Sequence, residues 1–87
     1  MNGRQLVAWN LRRLRVLRHL SQEKLAFDAG IDRAYLGGLE REQENPTVDL
    51  LDRVAAALGV SVEALFEVPD PSAPKPQSLP RGRKAAG

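Results

Sequence analysis

Residues 21–41 read SQEKLAFDAGIDRAYLGGLER, and this stretch is the most informative part of the sequence. Ser21 is a favoured helix N-cap, because its hydroxyl can accept from the backbone N–H groups of a first turn. Gly30 supplies the left-handed residue that commonly ends a helix, and Asp32 offers a second N-cap two residues later. Apolar residues then recur at helical spacing, namely Tyr35, Leu36 and Leu39. The stretch therefore predicts two short helices joined by a glycine turn, which is the helix-turn-helix arrangement.

Periodic apolar residues predict three further helices around this motif. Helix 1 has apolar residues near one face, helix 4 lies between a cap at Thr47 and a stop at Gly59, and helix 5 follows Ser61. The five predicted helices cover residues 4–18, 22–29, 33–41, 48–58 and 62–67. They predict a compact all-α, five-helix domain over residues 1–68. Residues 69–87 contain five prolines, so we expect a disordered, Pro-rich, basic tail there.

The composition excludes several classes of function. The chain has 87 residues and no cysteine, which leaves one small domain without a disulfide or a cysteine-based zinc site. His19 is the single histidine and there is no cysteine nucleophile, so we expect no metal, no cofactor, no small-molecule ligand and no enzyme activity. No apolar run approaches the roughly 18 residues of a membrane span, and arginines interrupt any signal peptide. A soluble, cytoplasmic protein is the expectation.

The charge is distributed unevenly along the chain. Residues 1–22 contain five arginines and no acid, whereas residues 23–74 contain all eleven acids against four basic residues. Residues 75–87 contain four basic residues and no acid. The predicted helix-turn-helix therefore lies in the acidic part of the chain. Nucleic-acid binding would need positive charge from helix 1, from single basic residues and from the tail.

Short motifs in a fixed order carry a resemblance to a known family. They are Leu20–Ala26 (LSQEKLA), Ala29–Ile31 (AGI), Tyr35–Leu36, Leu39–Arg41 (LER), Asn45–Thr47 (NPT) and Ala57–Ser61 (ALGVS). In this order and at these spacings, the chain resembles the phage-repressor (Cro/XRE) helix-turn-helix family over roughly residues 6–67. The run that opens helix 3, DRAY, is similar to the small controller proteins of restriction–modification systems.

The resemblance implies a sequence-specific transcriptional regulator that binds double-stranded DNA as a homodimer, with helix 3 in the major groove. By position, the implied DNA-binding residues are Ser21, Gln22, Asp32, Arg33, Ala34, Tyr35, Arg41 and Thr47. Ser21 and Gln22 would lie beside a phosphate at the N-terminus of helix 2, which is a ready anion site.

The residues that open helix 3 fall where the family reads base edges. Arg33 is able to pair with guanine O6 and N7, and Ala34 to touch a thymine methyl. Asp32 is expected chiefly as a cap, with a cytosine contact open to it. Tyr35 would reach a phosphate, and Arg41 and Thr47 would hold the DNA backbone beside the loop.

The family pattern also implies structural roles. Arg15 and Glu40 are expected to form an ion pair between helices 1 and 3. The homodimer would be held by an apolar surface on helix 5, formed by Val62, Leu65 and Phe66 and extended by Val16 and Leu17. The sequence departs from the family at Gly37 and Gly38, because the family often has a longer polar residue at one of these two positions. It also departs at Glu42, where glycine is common, and at His19, where a glycine commonly ends helix 1. The paired glycines mark either a close approach or a tolerated weakness of helix 3.

A function of another class stays open from the sequence. The acidic middle of the chain, the paired glycines and the Pro-rich tail also fit a protein-interaction module, or an antitoxin-type partner, that keeps the fold and binds DNA weakly or not at all.

Overall fold

The computed structural model describes residues 1–72, and these residues form helices without any strand. The α-helices are α1 (Gly3–Leu17), α2 (Gln22–Ala29), α3 (Arg33–Glu40) and α4 (Val48–Leu58), followed by a 3-10 helix at Val62–Phe66. The all-helical fold is therefore confirmed for the described part. The tail predicted over 69–87 lies, from residue 73 onward, outside the described residues.

The prediction of five α-helices is wrong, because the fifth element is a single 3-10 turn. The segment Val62–Phe66 has five residues, and the Ser61 side chain forms no capping hydrogen bond to it. So few residues give too few i to i−4 bonds to offset the cost of starting an α-helix, and the tighter 3-10 form is common in such short pieces.

Side-chain caps set where the α-helices begin. Ser21, Asp32 and Thr47 accept from the backbone N–H groups of Lys24, Tyr35 and Leu50, respectively. At α1, Asn2 and Gln5 form a reciprocal capping box, so this helix begins at Gly3 and not at Arg4 as predicted. Each such cap stabilises its helix by about 1 kcal/mol.

The core lies between the helices. Helix α1 contacts α3 and the 3-10 helix, α2 contacts α3 and α4, and α4 contacts the 3-10 helix. The core side chains with the least exposure are Leu11, Leu25, Leu36, Val54, Leu58 and Leu65. No helix within residues 1–72 is long and apolar enough to cross a membrane.

A buried amide fastens the 3-10 helix to α1. The Asn10 side chain is 1% exposed, and its Nδ2 lies 3.1 Å from the Leu65 carbonyl and 2.8 Å from the Glu67 carbonyl. Arg13 adds an ion pair with the Glu67 carboxylate at 3.3 Å. The C-terminal end of the described chain is therefore held by polar contacts as well as by the buried Leu65.

Candidate nucleic-acid interface

The turn between α2 and α3 has the geometry that the sequence predicts. Gly30 adopts φ +71°, and the N–H of Ile31 donates to the Ala26 carbonyl at 2.9 Å. The chain then leaves α2 sharply, and Asp32 starts α3 after two residues. Leu25 and Leu36 are both fully buried, so the two helices are packed against the same core and keep a fixed relative orientation.

The first turn of α3 presents exposed side chains. Asp32, Arg33 and Ala34 are exposed, whereas Tyr35 is half-buried and packs against the core. Asp32 uses Oδ2 to accept from the Tyr35 backbone N–H at 3.2 Å. Arg33 has no ion-pair or hydrogen-bond partner among residues 1–72. A positive side chain at a helix N-terminus is unfavourable with the helix dipole, and no acidic side chain within residues 1–72 forms an ion pair with Arg33.

Three of the residues expected to contact the DNA backbone lie at the start of helices, whereas Arg41 lies at the C-terminal end of α3. The exposed Ser21 and Thr47 each cap a helix through their side-chain oxygen, and each hydroxyl keeps its own hydrogen for donation. Gln22 is half-buried, and its Nε2 donates to the Glu40 Oε1 at 3.1 Å. This hydrogen bond holds the Gln22 side chain against α3 and fixes its position.

A buried ion pair joins α1 to α3. Arg15 donates to Glu40 through Nε at 2.6 Å and through Nη2 at 3.0 Å, with side chains only 7% and 4% exposed. Arg15 also donates to the Leu20 carbonyl at 2.8 Å. Since Gln22 donates to the same carboxylate, this network fixes the start of α2 and the end of α3 relative to α1.

The paired glycines of α3 allow two close approaches. A Cβ on Gly38 would lie 2.8 Å from Cγ and Oε2 of Glu44, and a Cβ on Gly37 would lie 3.1 Å from Nη1 of Arg41. The loop also turns back onto the helix, with the Gln43 N–H donating to the Gly38 carbonyl at 2.8 Å. Of the two interpretations given above, the structure favours a close approach, made by side chains that follow α3.

Two non-glycine residues have left-handed backbones, at φ +55° for His19 and +64° for Glu42. Both follow a helix end, and both stand where the family commonly has glycine. Such a conformation is mildly strained for a residue with a Cβ.

The three residues predicted to form the apolar dimer surface are not all exposed. Leu65 is 0% exposed and belongs to the core, so its assignment to the interface is wrong. In the 3-10 turn, the Leu65 side chain points inward, whereas Phe66 is 41% exposed and Val62 is half-buried.

Further apolar side chains are exposed near Phe66. Val48 is 68% exposed and Val68 is 77% exposed. A groove of about 210 Å³ lies beside Phe66 and Val48, with Val7, Leu39 and Pro46 also in its lining. On α1, Leu17 is 62% exposed, whereas Val16 is half-buried.

The described part of the chain carries a small excess of negative charge. Residues 1–72 contain nine basic residues and all eleven acids of the protein, and the remaining four basic residues follow. No cluster of three His, Cys, Asp or Glu side chains within residues 1–72 is arranged to hold a metal ion.

The chain matches known proteins in sequence. The model of the helix-turn-helix family matches residues 11–65. A hypothetical transcription factor of Neisseria meningitidis serogroup B is 39% identical over 66 residues, which is 76% of this chain and 62% of that protein. The control protein C.SmaI of Serratia marcescens is 40% identical over 66 residues, covering 76% of this chain and 79% of that one.

Solved structures agree with the sequence relatives. The restriction–modification controller protein C.AhdI from Aeromonas hydrophila has a TM-score of 0.70 at 41% identity, covering 72% of this chain and 96% of that chain. The controller protein C.Esp1396I, solved as a tetramer in complex with its natural 35 base-pair operator, has a TM-score of 0.69 at 29% identity, covering 76% and 87%. The chain therefore belongs to the helix-turn-helix family of the Cro/XRE type, and restriction–modification controller proteins are among its relatives.

Proposed function

We propose that the protein is a sequence-specific DNA-binding transcriptional regulator that acts as a homodimer and places α3 in the major groove. The main support for this proposal is the exposed guanidinium of Arg33. This exposed guanidinium stands at the N-terminus of α3 without a partner in the described residues, where the helix dipole disfavours it. A guanine edge, with its O6 and N7 acceptors, is the ligand that suits an unpaired arginine fork.

The rest of the site supports a groove-bound α3. Ser21 and Thr47 begin two helices whose N-terminal N–H groups favour a phosphate, and Gln22 is held at the first position of α2. Ala34 lies next to Arg33 and is exposed, as contact with a thymine methyl requires. Tyr35 is oriented by its packing on the core and would offer its hydroxyl to a phosphate.

The homodimer is proposed to form through the surface of Phe66, Val62, Val48 and Val68. A second copy would cover apolar side chains that are otherwise in water, at about 25 cal/mol per Å² of apolar area. Two α3 helices would then enter successive major grooves on one side of the duplex, about 34 Å apart. A Phe66→Glu variant tests the surface, because a carboxylate there would be desolvated in the dimer. Sedimentation equilibrium of the variant should show monomers where the unaltered chain shows dimers, and an unchanged dimer constant would exclude this surface.

Selection of duplexes from a random pool tests the DNA-reading proposal. The protein should enrich two related half-sites centred about 10 base pairs apart. Arg33→Ala should weaken binding to the enriched site by about 1–3 kcal/mol and relax one base position. Arg53→Ala is the matched control, since it removes an exposed arginine from α4 and should leave the preference intact. Equal loss on every duplex would show that Arg33 contacts only phosphate.

The acid excess of residues 1–72 favours a second candidate, a protein-interaction module or antitoxin-type partner. Gel-shift titration at 50 and 200 mM salt separates the two candidates. A DNA binder should lose affinity steeply as salt rises, because binding releases counterions from the phosphates. No shift at the lower salt concentration would favour the interaction module.

A further inference from the structure

Gly37 lies on the side of α3 that is proposed to face the bases. Gly37 lies three residues after Ala34 and four after Arg33, so the three positions share one side of the helix. A longer side chain at this position would extend the base-reading surface, and glycine has none. Gly37 is nevertheless buried, so other side chains cover the place that its own would occupy.

The guanidinium of Arg41 fills this place. A Cβ on Gly37 would lie 3.1 Å from Nη1 and 3.9 Å from Cζ of Arg41, and 3.7 Å from Oε1 of Gln22. Side chains on a helix point back towards its N-terminus, so a long side chain one turn after Gly37 runs over that residue. An alanine at 37 would crowd the guanidinium, because 3.1 Å is closer than ordinary carbon–nitrogen contact.

The outer end of this guanidinium is available. Its Nε donates to the Gln43 side chain at 3.1 Å, which fixes the fork to the end of α3. Its two Nη groups carry four further N–H donors, and no side chain or carbonyl within residues 1–72 accepts from them. Arg41 is exposed, so water now solvates these donors.

We propose that Arg41 is a second base-reading residue, which reaches over Gly37 and presents Nη1 and Nη2 to the O6 and N7 of a guanine. This goes beyond the backbone contact expected from the family, and it rests on the proposed function. Arg33 and Arg41 would then read different base pairs of one half-site, with the Gln43 side chain holding Nε of Arg41. Because Gly37 has no side chain, the guanidinium of Arg41 has room to lie over this position of α3 and reach the bases.

Competition binding on the selected duplex tests the proposal. Each base pair of the half-site is replaced in turn, and affinities are compared for the unaltered protein, Arg41→Ala, Gly37→Ala and the control Arg53→Ala. For the unaltered protein, one guanine besides the one assigned to Arg33 should be preferred by about 5- to 150-fold. Arg41→Ala should abolish that preference alone, and Gly37→Ala should reduce it while keeping the charge of Arg41. Thermal unfolding of each variant checks that the fold is kept.

The outcomes separate this inference from the proposed function. If Arg41→Ala weakens all duplexes equally and lowers the salt slope by about one, Arg41 contacts phosphate and the inference is overturned while the function stands. If Gly37→Ala leaves the preference for that guanine intact, base contact by Arg41 does not require the absence of a side chain at position 37. The inference is then overturned as well. If the unaltered protein enriches no duplex, both the function and the inference fail.

Discussion

The buried Arg15–Glu40 pair offers a stability measurement that bears on the whole interface. Its two charges are almost fully excluded from water, and Arg15 uses Nε, Nη1 and Nη2 in hydrogen bonds. We consider three variants, which are Arg15→Met, Glu40→Met and the double change. Methionine keeps a long, flexible, apolar side chain in place of each charged one.

The expected loss of unfolding free energy depends on which buried group each change leaves without its partner. Arg15→Met leaves the Glu40 carboxylate buried with Gln22 as its remaining donor, and Glu40→Met leaves a buried guanidinium held by the Leu20 carbonyl. Removing one partner of such a pair costs about 3–5 kcal/mol, whereas replacing both by apolar side chains is often close to neutral. A domain of this size is stable by only about 3–10 kcal/mol, so either single change should unfold a large part of the population. The double variant should be more stable than either single one.

Urea denaturation followed by circular dichroism measures these differences. Because the single methionine variants are so destabilised, Glu40→Gln serves as a milder companion that keeps one acceptor for Arg15, with an expected loss of about 1–3 kcal/mol. The double-mutant cycle should give a coupling energy of more than about 2 kcal/mol. Additive losses, with a coupling energy near zero, would refute the reasoning that the pair acts as a unit.

Three further predictions test other parts of the molecule. Asn10→Leu should lower the free energy of unfolding by about 2–4 kcal/mol, since two carbonyls at the 3-10 turn lose their donor; a loss of less than 0.5 kcal/mol by chemical denaturation would contradict this (roughly the scatter of surface substitutions). His19→Gly should raise the melting temperature by about 5 °C, because glycine relieves about 1 kcal/mol of left-handed strain, and a lower melting temperature would argue against strain there. Deletion of residues 73–87 removes four cations and should reduce the slope of log affinity against log salt by up to about 3.6 per protomer; an unchanged slope would exclude a role for that charge.

Much of the fold follows from local sequence signals. Ser21, Gly30, Asp32, Thr47 and Gly59 act through the backbone next to them, so the bounds of α2 and α4 and the start of α3 are readable without tertiary information. The Asn2–Gln5 capping box is equally local and was present in the sequence as a polar pair three residues apart, which is the usual spacing of this motif.

The parts that sequence reasoning missed depend on packing. A run of five residues with three apolar side chains does not show which of them points inward, so Leu65 was assigned to the surface together with Phe66. The same limit applies to Asn10, whose neighbours across the fold are carbonyls 55 and 57 residues away. Gly37 is recognisable as a departure from the family, but the guanidinium that covers it is visible only in three dimensions.

The proposed function places the outer side of α3 against the bases of a duplex. An amide chemical-shift titration of the 87-residue chain with a mixed-sequence duplex at low salt tests this placement. Placement of α3 in the groove predicts that the largest changes fall at Arg33, Ala34 and Gly37, with smaller ones at Ser21 and at Thr47. Changes confined to the outer face of α4, or no changes at saturating DNA, would contradict it.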